Sequence, residues 1–355
     1  YKKTKGHYKA PEAALQSVVS GRGKTLLKGL KIERDLFTKC QQTAVSRHLI
    51  SLFFSQEAQK KLMSNGKITH KISQAAVIGG GLMGSGIAWA LSYRQIMTVL
   101  NDIKQDVLHS GLEAVAAIYK QLKKRRRLTS KQVDLAMHRV IPSLSVDSVK
   151  HSDIVVEAVV ENLVIKQQVY QQLEEVLDPK AIIATNTSSL SVDDLGANLK
   201  YPERFIGMHF FSPVNRMPLV EVIPTQQTAK ETLASVLSLV KKMKKTAVVV
   251  KNCPGFLVNR IFLPYVNEAM YCLQDGASIT QIDAACEKFG MPIGPLALSD
   301  NVGLDIGVKV LEVLEKGYGE RMVIPEFAKK MFERGDFLGK KSNIGFYDYR
   351  FKKKK

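Results

Sequence analysis

One short stretch constrains this chain more than any other: Ala75-Ala-Val-Ile-Gly79-Gly-Gly81-Leu-Met-Gly84-Ser-Gly86-Ile-Ala-Trp-Ala90. An apolar strand runs into a glycine turn, and the turn opens a helix. Gly79, Gly81 and Gly84 take the three positions of a G-x-G-x-x-G pattern. The first permits a tight turn, the second lets a pyrophosphate approach bare backbone, and the third lets the helix pack closely on the strand. The helix N-terminus then offers unpaired N–H groups and a partial positive charge to phosphates. A glycine-rich turn with no ligand satisfies the same spacing, so the pattern gains weight only from its surroundings.

Those surroundings are regular. From Lys71 onward, apolar runs alternate with helical periodicity. Strands are predicted at 72–78, 96–100, 153–160, 181–184, 205–209, 219–223 and 246–250, with helices at 84–93, 107–122, 129–138, 163–177 and 192–199. This alternation predicts an α/β, largely parallel, doubly wound sheet of Rossmann type. Past Cys253-Pro254-Gly255 the strand signal stops. Helices are predicted at 256–273, where Pro264 bends the helix, and at 279–289, 304–314 and 325–334, with Met291-Pro-Ile-Gly-Pro295 as a turn. The expected organisation is a helical linker over 1–66, a nucleotide-binding domain over 67–251, an all-helical domain over 252–350 and a basic tail over 351–355. Within the linker, helices are read at 11–20 and 26–54, with Gly21, Gly23 and Gly29 breaking the first part and Ser64-Asn-Gly66 as a closing turn. Such a segment has few residues for a core of its own and reads as a linker that docks on a neighbour.

A chain of 355 residues with 45% hydrophobic and 24% charged composition has room for two domains and is ordinary globular protein. No apolar run is long enough to span a membrane. The sequence begins at Tyr1 without a secretory pattern and reads as a fragment or processed product. Cys40, Cys253, Cys272 and Cys286 are scattered, which argues against zinc and for reduced thiols in an intracellular compartment. The net charge of +19 raises two readings, a nucleic-acid binder or an enzyme for polyanionic small molecules. Much of the excess lies in the runs Lys123–Arg127, Lys241–Lys245 and Lys352–Lys355, which read as solvated surface. With no interleaved aromatics and no zinc-finger spacing, nucleic acid is set aside.

Several polar residues then stand out against the apolar strands. Asp102 ends the second strand, about 20 residues past the second glycine, where a dinucleotide fold places the acid that binds the adenosine ribose. A carboxylate there disfavours a 2′-phosphate, which points to NAD over NADP. Glu157, Glu161 and Lys166 surround the end of the 153–160 strand. A ligand edge and a solvated helix start fit them equally. Thr185-Asn-Thr-Ser188-Ser189 follows another strand and offers a helix cap or a ligand contact, with no G-x-S-x-G elbow for a serine nucleophile. His209 ends a strand, and Glu221 is an acid inside an apolar strand, where it needs a partner. Paired, they would form an oriented general base; unpaired, His209 is a structural residue. Asn259 and Arg260 interrupt an apolar helix start, and a buried asparagine needs a partner from another domain or a ligand.

Taken together, these motifs resemble the L-3-hydroxyacyl-CoA dehydrogenase region of multifunctional fatty acid β-oxidation enzymes, in particular that of the bacterial fatty oxidation complex α-subunits. The matching blocks are Val77–Ala88, Val156–Asn162, Thr185–Leu190, Gly207–Pro213, Met217–Glu221, Pro254–Arg260 and Gly339–Tyr347, in family order over nearly the whole chain. The resemblance implies NAD-dependent oxidation of L-3-hydroxyacyl-CoA to 3-ketoacyl-CoA. It implies His209 as base with Glu221 as its paired acid, and Ser188 and Asn259 as substrate contacts that steady the dyad. It places Gly79, Gly81, Met83, Gly84, Asp102, Glu161, Lys166, Ser188, Ser212 and Lys341 at the cofactor, and Lys124 and Arg125 near the CoA phosphates. Ser212 stands where many members have asparagine, a shorter reach to the cofactor.

The resemblance further implies an acyl-CoA substrate, and a homodimer through the helical domain in the absence of a second helical domain. In the longer enzymes it implies a hydratase domain and a thiolase subunit as partners. No metal, no nucleic acid and no membrane span are expected. A bacterial cytoplasmic location is implied, with the mitochondrial matrix or peroxisome as the alternative. Two other functions remain open from the residues: a small 3-hydroxyacid dehydrogenase, which would use a lysine base, and an inactive nucleotide-binding fragment.

Overall fold

A computed structural model describes residues 6–63 and 71–351. The Ser64–Gly66 turn and the Lys352–Lys355 run lie outside the described residues. The chain opens with three helices: α1 (Ala10–Gly21), α2 (Leu26–Gln41) and α3 (Ala44–Leu62). The sheet region follows: β1 (Gln74–Ile78), α4 (Leu82–Ser92), β2 (Met97–Asn101), α5 (Gln105–Lys124), α6 (Ser130–Met137), β3 (Val140–Ser143), β4 (Ile154–Glu157), α7 (Leu163–Val176), β5 (Ile182–Thr185), α8 (Val192–Gly196), β6 (Phe205–Phe210), β7 (Leu219–Pro224), α9 (Lys230–Lys242) and β8 (Thr246–Val249). Then come α10 (Val258–Gln274), α11 (Ile279–Phe289), α12 (Pro295–Val302), α13 (Leu304–Tyr318) and α14 (Glu326–Glu333).

The strands form one eight-stranded sheet in the order β3-β2-β1-β4-β5-β6-β7-β8. Every neighbouring pair is parallel except β6 and β7. A parallel sheet is covered on both faces, which is why its strands read as continuous apolar runs. The period of two then sorts them: Val77 and Val156 enter one core with Ile87 and Leu100, while Ala76, Ile78 and Val155 enter the other with Ile183 and Phe205. The chain winds outward from β1 in one direction through β2 and β3, and in the other from β4. The crevice outside the carboxyl ends of β1 and β4 is therefore the topological switch point, where doubly wound sheets bind ligands.

Several local features differ from the sequence expectations, α12 among them, which starts at the Pro295 that reads as the end of a turn. β3 was unread because it is only four residues long and carries Pro142, which an outermost strand tolerates. α9 supplies the crossover that the parallel β7–β8 pair requires, and its buried Thr232 and Ser235 interrupt its apolar stripe. The 153–160 strand stops at Glu157, whose own carboxylate takes the Val159 N–H and turns the backbone out of the ladder. The 26–54 helix is two helices: Thr43 caps α3 by accepting from Ser46 N at 3.2 Å. Gly29 does not break α2, and a Cβ on Gly21 would sit 3.9 Å from its Cα, where the two helices approach.

The end of α3 docks on the outermost strand: Gln59 Nε2 donates to Ala247 O at 2.5 Å, and Ala247 N donates to Met63 Sδ at 3.2 Å. This covers the exposed edge of β8. Farther out, α1 and α2 leave large apolar side chains in water, Leu27 being 80% exposed. Among the described residues, no helix is long and apolar enough to cross a membrane. Helices α10 to α14 enclose a separate core that includes Leu263, Val266, Leu296, Leu311 and Leu314, and α10 runs on through Pro264.

Candidate active site

The glycine turn sits at the switch point, and its three glycines separate by cause. Gly79 has φ +103°, and a Cβ there would lie 2.6 Å from Ala158 O. A Cβ on Gly84 would overlap the Gly79 carbonyl, so this glycine serves helix–strand packing. Gly81 is different. Its φ of −67° suits any residue, and a Cβ would meet nothing within 4 Å. Neither backbone nor packing calls for glycine at Gly81. The open space beside it, at the N-terminus of α4, fits the approach of a pyrophosphate. Asp102 stands beside the turn: Oδ2 accepts from Gly80 N at 2.8 Å and Oδ1 from Lys104 N at 2.9 Å. Two such bonds leave carboxylate lone pairs for ribose hydroxyls. The residues present therefore fit a dinucleotide. Met83 packs partly against the core at the start of α4.

Across the crevice, a buried ion pair organises the ends of β4 and β5. Glu157 and Lys166 side chains have 0% exposure, with Nζ 2.7 Å from Oε1. Glu157 Oε2 accepts from the hydroxyls of Tyr170 at 2.6 Å and Thr185 at 2.9 Å, so its lone pairs are filled, as a buried carboxylate requires. Burial and then the Glu157 charge push the Tyr170 hydroxyl well above the ordinary phenol range. Lys166 Nζ also lies 3.6 Å from Glu161 Oε2. Glu161 Oε1 in turn accepts from Thr187 Oγ1 at 2.6 Å, Ser188 N at 2.8 Å and Ser189 N at 3.2 Å. Glu161 thus holds the loop that carries Ser188. Among the described residues, the Ser188 hydroxyl has no partner, and Asn259 Nδ2 reaches Ser188 O at 3.3 Å.

His209 and Glu221 meet. They are directly opposite in the antiparallel β6–β7 pair, and Nδ1 lies 2.7 Å from Oε2. A carboxylate accepts, so Nδ1 carries the hydrogen and Nε2 presents its lone pair. The ring is flanked by Phe211 at 4.5 Å and Phe256 at 5.8 Å between ring centres. Glu221 is fully buried, and its Oε1 accepts from the backbone N–H groups of Leu257 and Val258. The site thus draws together β6, β7, the β5 loop and the first turn of α10.

The loop after β6 is pinned. Lys245 Nζ donates to Val214 O and to Met217 O, each at 2.6 Å, and a Cβ on Gly86 would press on the Val214 side chain at 2.9 Å. This fixes the segment carrying exposed Ser212 over α4. Burial, and secondarily the Arg94 charge, lowers Lys245 to about 8.

Lys341, also expected at the site, lies in the helical domain and pairs with Asp305 at 2.9 Å. Two other expected residues are placed apart from this cluster. Exposed Lys124 and Arg125 are at the far end of α5, and a helix of 20 residues spans about 30 Å from the crevice where it starts. Conversely, the sequence assigns no role to Phe211, Phe256 or the Leu257–Val258 amides, and it marks Thr187 only as part of a polar cluster. The only signal for the last was Pro254-Gly255 just ahead of them. Among the described residues, no group of acidic, histidine or cysteine side chains could hold a metal.

Comparison with known proteins converges on one family. The model for "3-hydroxyacyl-CoA dehydrogenase, NAD binding domain" matches residues 74–253, and that for "3-hydroxyacyl-CoA dehydrogenase, C-terminal domain" matches residues 255–349. The fatty acid oxidation complex subunit alpha of Acinetobacter baylyi is 40% identical over 351 residues, covering 98% of this chain and 49% of that protein. The same subunit of a Psychrobacter species is 38% identical, covering 96% and 48%. The chain thus spans about half the length of these relatives. Among solved structures, (S)-3-hydroxybutyryl-CoA dehydrogenase from Ralstonia eutropha matches with a TM-score of 0.76 and 39% identity, covering 79% of this chain and 100% of that one. The dehydrogenase part of multifunctional enzyme 1 from C. elegans matches with a TM-score of 0.57 and 26% identity, covering 84% and 71%.

Proposed function

The chain belongs to the 3-hydroxyacyl-CoA dehydrogenase family, an NAD-dependent oxidoreductase family, and on that premise we propose that it oxidises L-3-hydroxyacyl-CoA to 3-ketoacyl-CoA with His209 as general base. The observation that supports this reading most is the His209–Glu221 pair, buried at the end of β6 and bonded at 2.7 Å.

The geometry supports the following division of labour. Bound NAD supplies the electron acceptor for the carbinol carbon. Gly81 and the start of α4 would receive its pyrophosphate and Asp102 its ribose, with Met83, Glu161, Ser212 and Lys341 as further contacts. Because Lys166 has no exposure, its share is to fix Glu161 and the loop beyond it. His209 Nε2 accepts the proton of the 3-hydroxyl. The imidazolium that results is held by Glu221, and the Ser188 hydroxyl and Asn259 amide steady the substrate oxygen. Phe211 and Phe256 keep the ring in an apolar surround, where these polar contacts are stronger. Any contact from Lys124 and Arg125 would be to the distant nucleotide end of the substrate.

The wider context is also part of the proposal. We place the chain in fatty acid β-oxidation, alongside a hydratase domain and a thiolase subunit, as a homodimer through the helical domain, in a bacterial cytoplasm. Support comes from the names of the relatives and from four cysteines free of disulfides. We set the domain boundary near Lys251. The test is NADH oxidation with acetoacetyl-CoA. Turnover by the chain, lost in His209→Gln, is expected. Absence of turnover in the unaltered, folded chain overturns the reading.

A further inference from the structure

Glu221 does more than hold His209. Its second oxygen accepts Leu257 N at 2.9 Å and Val258 N at 2.8 Å, at the first turn of α10. The carboxylate is thus shared between the sheet and the helical domain. The backbone presenting those two amides is strained. Phe256 has φ 51°, a left-handed conformation that a bulky residue keeps only when its surroundings impose it.

Helix α13 supplies those surroundings. A Cβ on Gly255 would lie 2.7 Å from Leu314 Cδ2, and one on Gly317 would lie 2.6 Å from Pro254 Cγ. The Tyr318 hydroxyl donates to Pro254 O at 3.0 Å, and the Arg260 guanidinium sits 4.9 Å over the Tyr318 ring. Packing and a hydrogen bond from one helix therefore converge on residues 254–256.

We propose that Gly317 and Tyr318 are positioning residues for the dyad. They seat Pro254, which holds the left-handed Gly255-Phe256 turn, which aims the Leu257 and Val258 amides at Glu221 Oε1. A carboxylate anchored by one oxygen can rotate, whereas one anchored by both presents a fixed lone pair to His209 Nδ1. The helical domain thereby takes part in orienting the base from a helix that does not itself touch the dyad. The inference rests on the reading of His209 as base.

The experiment uses the full chain with Tyr318→Phe and, separately, Gly317→Ala. It measures kcat and the KM for NADH with acetoacetyl-CoA, the melting midpoint, and the downfield proton resonance of His209 Nδ1–H, assigned by its loss in His209→Gln. The expected result is kcat lower by roughly five- to tenfold, about the worth of one hydrogen bond, with an unchanged KM for NADH and a displaced or broadened resonance. Tyr318→Phe removes a single oxygen and keeps the ring, so it carries the test if Gly317→Ala does not fold. Unchanged kcat and resonance overturn the inference. So does a loss of kcat with the resonance in place, which is general loosening. Full turnover by His209→Gln overturns the base assignment and this inference with it. Loss of turnover there, with no effect from either α13 variant, overturns this inference alone.

Discussion

His209 and Glu221 sit directly opposite each other on antiparallel strands, with Nδ1 2.7 Å from Oε2. Both side chains stand on strands of the sheet, so the base is oriented before any substrate arrives. Replacing Glu221 by glutamine leaves the shape but offers an amide that need not accept from Nδ1. In NADH oxidation with acetoacetyl-CoA, Glu221→Gln and His209→Gln are expected to lower kcat by on the order of 10²- to 10⁴-fold. The KM for NADH, whose proposed contacts include neither side chain, is expected to stay within about twofold.

The glycine turn yields a sharper comparison, because its glycines are there for different reasons. Gly81→Ala adds a methyl where nothing lies within 4 Å, in a backbone conformation alanine accepts. Its melting midpoint is expected to match that of the unaltered chain, while its KM for NADH rises about tenfold or more, a cost near 1.4 kcal/mol. Gly84→Ala drives the same methyl into the Gly79 carbonyl and is expected to lose folded protein outright. Equal behaviour of the two in thermal melts and NADH titration would sink the assignment of the space beside Gly81 to the pyrophosphate.

How much of this was legible beforehand depends on whether the cause is local. β1, β5 and β6 are strands buried on both faces, and their uninterrupted apolar runs announce them. The glycine turn and Asp102 are read by spacing, because both lie within one βαβ unit. The meeting of His209 with Glu221 is another matter. It depends on the register set by the 211–218 connection, and a slip of one residue would send the two side chains to opposite faces. Nothing in the spacing specifies that register: an acid inside an apolar strand calls for a partner and leaves the pair as one of two readings, and the family resemblance implies it. The hold of Leu257 and Val258 on Glu221 joins residues from two domains, so Pro254-Gly255 marks a turn ahead of them without showing what the amides meet. The place of Lys166 after the strand leaves its role open and the resemblance implies a cofactor contact, but its side chain is fully buried with Nζ against Glu157.

That buried Lys166–Glu157 pair carries a stability prediction. Glu157→Gln leaves the Lys166 ammonium buried with only Glu161 at 3.6 Å to balance it. Removing one member of such a pair typically costs about 3–5 kcal/mol, whereas removing both together is far milder. Urea unfolding is therefore expected to show Glu157→Gln as strongly destabilised, and Glu157→Gln with Lys166→Met as partly restored. A double variant less stable than Glu157→Gln alone would count against the pair acting as a unit.

Lys245 gives the pH dependence. Burial lowers it to about 8 from its ordinary value of 10.5, and Arg94 adds to the shift. Below about 8 the side chain is protonated in both folded and unfolded chains, and the folded state bears the cost of burying the charge. Between about 8 and 10.5 the folded state gives up the proton first, so the unfolded state binds more protons and stability rises with pH. Above that window the gain is complete. Lys245→Met removes the titration, so the difference between the urea midpoints of the unaltered chain and the variant is expected to move in favour of the unaltered chain from pH 7 to pH 10. The comparison cancels the buried tyrosines, which remain in both proteins. A constant difference across that range would mean that Lys245 does not give up its proton early. Its hold on Val214 O and Met217 O would then be that of a charged donor throughout.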